Sequence, residues 1–174
     1  MMQLKEANRE AGATRFELMV VVIVFGIAAA IILDRVRYYQ EFAEKTVMET
    51  TVVNIRSGLR YRMAELVLQN RTGEFALLIQ ENPVHWLEKP PQHYLGELID
   101  PQASEIQPGS WYYDKSRRQL VYRINLGRYF EAAEESKKFI RYQVIAIAGQ
   151  ARTGAVVAPV EWVALKLVEP YQWF

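Results

Sequence analysis

One carboxylate lies inside a membrane-length apolar stretch near the start of this 174-residue chain. The stretch runs from Gly12 to Leu33 and its carboxylate is Glu17, after which no charged residue occurs from Leu18 to Leu33. A charge at the centre of a membrane helix costs about 2.5–3.5 kcal/mol on insertion scales. An ionisable residue in such a place is therefore expected to serve a function and to have a partner of opposite charge.

Three interpretations of this N-terminal region compete. The first is a cleaved signal peptide, for which Ala28–Ala30 would be the small-residue cleavage site, although the apolar run continues beyond it to Leu33. The second is a plain membrane anchor, because the 21 residues from Ala13 to Leu33 would span about 31 Å as a helix. Neither interpretation explains Glu17. The third rests on the spacing of residues around it.

The string Gly12-Ala13-Thr14-Arg15-Phe16-Glu17, followed by an apolar run that contains Gly26, resembles the processing signal of type IV pilins and type II secretion pseudopilins. In that family a short polar leader ends in glycine, and the prepilin peptidase cleaves after it. The new N-terminal residue is then N-methylated, and a glutamate follows four residues later. The resemblance implies that residues 1–12 form the leader and that Ala13 becomes the N-methylated terminus. It also places Gly26 where the family usually has a Gly-Ile-Leu/Ala-Ala-Ala string.

The resemblance also supplies a partner for Glu17. In a filament, the α-amino group of Ala13 on one subunit would pair with Glu17 of a neighbour, and loss of either charge would leave the other buried and unpaired. Gly26 would give a small face for close helix packing. The alternative is that Glu17 only reaches toward the lipid headgroups. The sequence departs from the family in having Ala13 where Phe or Met is usual, and in carrying Arg15.

Composition argues against several other functions. Twenty-one basic and 20 acidic residues give a net charge of +1, which is no electrostatic footprint for nucleic acid. Cysteine is absent, so disulfides and thiolate metal sites are excluded. No phosphate loop, nucleophile elbow or metalloprotease motif occurs. His85, Glu88 and His93 could be proposed as zinc ligands, but the prolines between them indicate loop. We therefore predict no enzyme activity, no cofactor and no metal.

The apolar helix is predicted to continue into a longer amphipathic one. No Gly or Pro occurs between Leu33 and Ser57. Apolar residues recur every three or four positions, as on one face of a helix, at Met48, Val52, Ile55, Leu59, Met63 and Leu66. We expect one long helix that ends near Leu68, before the stretch Asn70–Gly73.

The C-terminal part has strand character. Alternating or β-branched segments at Ser110–Asp114, Gln119–Leu126, Phe139–Ala148 and Glu161–Val168 predict four short strands. The expected fold is α+β, with a long N-terminal helix packed on a C-terminal antiparallel sheet of about four strands. The domains would be a leader (1–12), a transmembrane helix (13–33) and a periplasmic globular domain (34–174).

The resemblance implies a structural subunit of a type IV pilus or type II secretion pseudopilus. Its partners would be the prepilin peptidase, other pilin or pseudopilin subunits, and the inner membrane with its assembly platform. The N-terminus would be cytoplasmic and the C-terminal domain periplasmic. The alternative from another class is a membrane-anchored periplasmic binding module that does not polymerise.

Overall fold

The computed structural model describes residues 14–132, 138–148 and 160–174. Gly12 and Ala13, the predicted processing residues, lie outside the described part of the chain. The chain divides into two compact units, with the boundary between Tyr39 and Gln40. A single helix, α1 (Arg15–Leu68), contributes residues to both units.

The first unit is the apolar part of α1. Its most apolar window of 18 residues has a mean hydropathy of 2.9, and none of that window is buried against the rest of the chain. Phe16 and Phe25 are each more than 70% exposed, at 76% and 72%. A helix that is apolar on all sides and uncovered by its own chain needs lipid or other protein around it. This segment is long and apolar enough to cross a membrane, as the sequence predicted.

In the second unit, α1 presents the predicted apolar stripe to the core. The six stripe residues Met48, Val52, Ile55, Leu59, Met63 and Leu66 are all buried, none of them more than 3% exposed. The helix ends at Leu68, and Asn70 adopts a left-handed conformation with φ of 56°. Asn is one of the few residues that tolerate this conformation after a helix. The predicted stripe and helix end are both confirmed.

A five-stranded sheet packs on this helix, with strand order β1-β2-β3-β5-β6. Its strands are β1 (Tyr94–Leu98), β2 (Ser110–Asp114), β3 (Gln119–Arg123), β5 (Phe139–Ala148) and β6 (Val160–Leu167). The pairs β2–β3, β3–β5 and β5–β6 are antiparallel, whereas β1 pairs with β2 in parallel. A second, two-stranded antiparallel sheet joins β4 (Phe130–Ala132) to β7 (Tyr171–Trp173). Two 3-10 helices, Thr72–Ile79 and Pro83–Trp86, follow α1.

The α+β class is therefore confirmed, and the sheet is mixed. All four predicted strands occur, and the first and third have the predicted bounds. The sequence did not predict β1, β4 or β7, because they are short and their stability comes from pairing rather than from a periodic pattern. In β1, Gly96 has a φ of 95° and lies within the register shift between Tyr94 and Glu97. The parallel pairing of β1 is what makes the sheet mixed.

Alternation along β3 places side chains on both faces of the sheet. Leu120 and Tyr122 join the main core with the α1 stripe. Val121 points the other way, into a smaller cluster with Ile106 and Tyr112. Because side chains alternate across a strand, one short segment contributes to both clusters.

Candidate functional site

Glu17 lies in the first turn of α1, immediately after a helix cap. The Glu17 backbone N–H donates to the Thr14 hydroxyl oxygen at 3.2 Å, and the Leu18 N–H donates to the Thr14 carbonyl at 3.0 Å. Threonine at the cap with glutamate three residues later is the capping-box pattern. The spacing Thr14-x-x-Glu17 was visible in the sequence, and sequence analysis missed this role. The cap gives Glu17 a second reason to be there, since a carboxylate also suits the positive end of the helix dipole.

The side chain of Glu17 is exposed, and no hydrogen bond or ion pair joins its carboxylate to another residue that the structure describes. Gly26 is likewise open, because a Cβ added there would meet no atom within 4 Å. Nine residues separate the two, which is about two and a half turns. Glu17 and Gly26 therefore face opposite sides of the helix, so one neighbouring helix cannot contact both in the same way.

A second group of carboxylates, one buried and one partly buried, lies on the first turns of α1 in the second unit. Glu41 is only 3% exposed. Its Oε1 accepts from the Tyr129 backbone N–H at 2.9 Å and from the Trp173 indole Nε1–H at 3.0 Å. Its Oε2 accepts from the Arg128 backbone N–H at 3.2 Å. This one carboxylate therefore joins α1 to the segment before β4 and to β7.

Glu44, three residues further along α1, accepts a similar set of hydrogen bonds. Its Oε1 accepts from the Tyr122 hydroxyl at 2.9 Å and the Asn125 N–H at 2.7 Å, and its Oε2 accepts from the Leu126 N–H at 2.8 Å. Burial, with the Glu44 charge and hydrogen bond, raises the pKa of the Tyr122 hydroxyl. The hydroxyl therefore stays protonated and remains a donor.

We call Glu41 and Glu44 the carboxylate clamp. Together they satisfy four backbone N–H groups in the segment 125–129, a connection that has no regular secondary structure of its own. Backbone donors outside helices and strands need partners of this kind, and charged acceptors give the stronger bonds. The clamp stabilises the fold rather than forming a reactive site, because all four of its carboxylate oxygen atoms already accept hydrogen bonds. Glu41 falls seven residues before Met48, on the extended core stripe, and that was the available sequence signal.

The third polar group surrounds Glu97 on β1. Hydrogen bonds from the Asn82 amide and the Lys115 ammonium lower the pKa of the Glu97 carboxyl. His85 Nε2 lies 3.7 Å from Glu97, whereas His93 lies beside Trp111 in a separate groove. Across the described residues, no three His, Asp or Glu side chains gather as a metal site. The zinc set considered from the sequence is not brought together.

Comparison with known proteins adds no family assignment. No protein-family model, curated protein or solved structure matches this chain.

Proposed function

We propose that this chain is a pilin-like structural subunit of a type IV pilus or a type II secretion pseudopilus. The prepilin peptidase would cleave after Gly12, and Ala13 would become the N-methylated terminus. The protein would then lie in the inner membrane with its head in the periplasm, until the assembly platform moves it into a filament with other subunits.

Most of the support for the proposal comes from α1, a single 54-residue helix whose first and second parts have different surroundings. The first part is apolar with no buried residue in its membrane-length window, and the second part presents its stripe to a folded head. Burial of apolar area is favourable by roughly 25 cal/mol per Å². An exposed helix of this kind can leave lipid only for another apolar surface, and the same helix of neighbouring subunits would provide one.

Glu17 supports the proposal because its carboxylate has no partner within the described residues. In the assembled filament, that partner would be the α-amino group of Ala13 on a neighbouring subunit. The helix cap at Thr14 is a second explanation for a glutamate at position 17. Charge pairing and helix capping therefore have to be separated by experiment.

The first experiment is mass spectrometry of the mature N-terminus, made in a host that has a prepilin peptidase. We expect N-methylated Ala13, and the Gly12→Ala variant should keep its leader. An intact Met1, or a cut near Ala30, would contradict the proposal and favour an anchored module that does not polymerise.

The second experiment compares Glu17→Gln with Thr14→Ala in a filament assembly assay. Glutamine can serve at the third position of a capping box, so Glu17→Gln removes the charge but keeps the cap residue type. Thr14→Ala removes the cap hydroxyl but keeps the charge. We expect Glu17→Gln to be cleaved normally but to assemble poorly, and Thr14→Ala to assemble nearly as well as the parent. The reverse pattern would mean that Glu17 acts only through the helix cap.

A further inference from the structure

The outer edge of β6 is long and pairs with no other strand in the described part of the chain. β6 has eight residues and ends the five-stranded sheet, and no strand within the described residues pairs with its outer side. Natural proteins usually shorten or interrupt such edges, because unpaired backbone groups recruit other strands. The opposite edge strand, β1, is shorter, with five residues against the eight of β6. Both edge pairs contain a register shift, which lies between Tyr94 and Glu97 in β1 and opposite Ala148 in β6.

The register identifies which backbone groups of β6 are available. The Val168 N–H donates to the Arg141 carbonyl at 2.9 Å, and residues of an antiparallel pair bond their partners at every second position. From Trp162 onward, beyond the register shift, the even-numbered residues of β6 therefore bond to β5. The odd-numbered residues Val163, Leu165 and Leu167 direct their N–H and C=O groups to the outer edge.

Beside this edge, α1 and β6 border two adjoining cavities of about 340 and 490 Å³, and the 3-10 helix Thr72–Ile79 borders the second one as well. Arg60, Met63 and Trp162 line both of them. Arg56 lines the first cavity only, and Val67 lines only the second. Trp162 is 49% exposed, so a large apolar surface is available there. We call this continuous depression the β6 groove.

The β6 groove carries two cations that have no partner among the described residues. Arg56 and Arg60 are exposed, and neither has a hydrogen bond or an ion pair to another residue in the described part of the chain. Glu161 is the acidic residue that lines the groove, and it does so in the cavity nearer Val67. The half of the groove near Arg56 is therefore positive and calls for an acidic occupant.

The spacing of the two arginines fits a strand. They are four residues apart on α1, about 6 Å along the helix axis. Side chains two residues apart on one face of a strand are about 6.6 Å apart. α1 and β6 run in opposite directions along the groove, because Arg56 shares a cavity with Leu165 and Val67 shares one with Val160. A strand added to β6 would therefore run alongside α1. Two carboxylates separated by one residue would then lie opposite the two guanidinium groups.

We propose that the β6 groove binds an extended segment of another protein, which adds a strand to the outer edge of β6 and carries an acidic-x-acidic pair facing Arg56 and Arg60. Main-chain hydrogen bonds would supply affinity and side-chain positions would supply specificity. A second copy is not the occupant we expect, because no two acidic residues are separated by one residue in these 174 residues. The inference goes beyond the filament role and is tested on the purified subunit without assembly.

The probe is the fluorescein-labelled peptide Thr-Glu-Val-Glu-Val-Thr-Val, whose glutamates share one face. Its binding to the full chain in mild detergent is followed by fluorescence anisotropy. We expect saturable binding that weakens about tenfold in the Arg56→Gln/Arg60→Gln double variant, as the loss of two exposed ion pairs allows. The peptide with Gln in place of Glu should weaken by a similar factor. Arg62→Gln is the matched control, because Arg62 is on the same helix but bonds Glu65 at 2.6 Å.

Backbone methylation tests the strand geometry directly. Two peptides are N-methylated at alternate residues, one at even and one at odd positions. Only one set directs its N–H groups to β6, so one peptide should lose binding and the other should retain it. Equal binding by both peptides, no binding of the parent peptide, or unchanged affinity in the double arginine variant would each overturn the proposal. Self-association of the chain that the peptide does not displace would assign the edge to a second copy instead. Circular dichroism of each variant shows that it is folded.

Discussion

The carboxylate clamp predicts a large effect from a nearly isosteric substitution, Glu41→Gln. Glutamine can keep its oxygen at the Oε1 position, where it still accepts from Tyr129 and Trp173. Its amide nitrogen then faces the Arg128 N–H, which is 3.2 Å from Oε2 in the parent protein, so two donors oppose each other. One hydrogen bond is lost and two change from charged to neutral.

The magnitude follows from these changes. A hydrogen bond to a charged group contributes about 1.5–3 kcal/mol and a neutral one about 0.5–1.5. The lost bond is at the lower end, because Arg128 is exposed and its N–H can be hydrated. Burial of an amide instead of a carboxylate offsets part of the loss. We expect Glu41→Gln to lower the free energy of unfolding by about 2 kcal/mol, and Glu41→Ala by about 3–5 kcal/mol, because the alanine variant also leaves a cavity.

The assay is urea unfolding of the full chain in mild detergent, followed by tryptophan fluorescence and analysed by linear extrapolation. The matched control is Glu49→Gln on the same helix. The Glu49 side chain is 52% exposed and its contact with Lys45 is 3.9 Å, so we expect a change below about 0.5 kcal/mol. If Glu41→Gln proved no more destabilising than Glu49→Gln, the clamp would not fasten the head, and our reasoning would be wrong.

Two further predictions concern packing and pH. A Cβ at Gly58 would lie 2.6 Å from the Trp86 carbonyl oxygen. Gly58→Ala should therefore lower the free energy of unfolding by roughly 1–2 kcal/mol, and with it the thermal midpoint, despite the better helix propensity of alanine. Gly26→Ala, with open space, is the control, and equal midpoints would contradict the close approach. A hydrogen bond from Asn82 helps to lower the pKa of Glu97 below its ordinary 4.5. The charged Glu97 carboxylate therefore stabilises the folded protein at pH values above the unfolded pKa, and this stabilisation is lost as the pH falls through the lower folded pKa. In urea titrations the stability gap between the parent and Glu97→Gln should therefore narrow from pH 6 to pH 3, and a gap that widened would refute the assignment.

Much of the helical part of this protein was determined by its sequence alone. The stripe from Met48 to Leu66 repeats at helical spacing, and helix periodicity is a local property that needs no knowledge of the partner surface. The apolar segment and the end of α1 near Leu68 follow from hydropathy and from turn residues for the same reason. Of the strands, β5 and β6 were the easiest to predict because they are long enough to show alternation.

Only the tertiary structure decided the pairing. The parallel addition of β1, the small sheet of β4 and β7, and the position of β6 at the edge of the described sheet all depend on contacts between distant residues. No local pattern encodes them. The same holds for the partners of Glu41: its position on the extended core stripe was visible in the sequence, but its hydrogen bonds to the backbone N–H groups of residues 128–129 depend on the fold. Glu17 lies between these cases, since its cap is local and was visible in the sequence, whereas a partner for its charge has to come from outside the described chain.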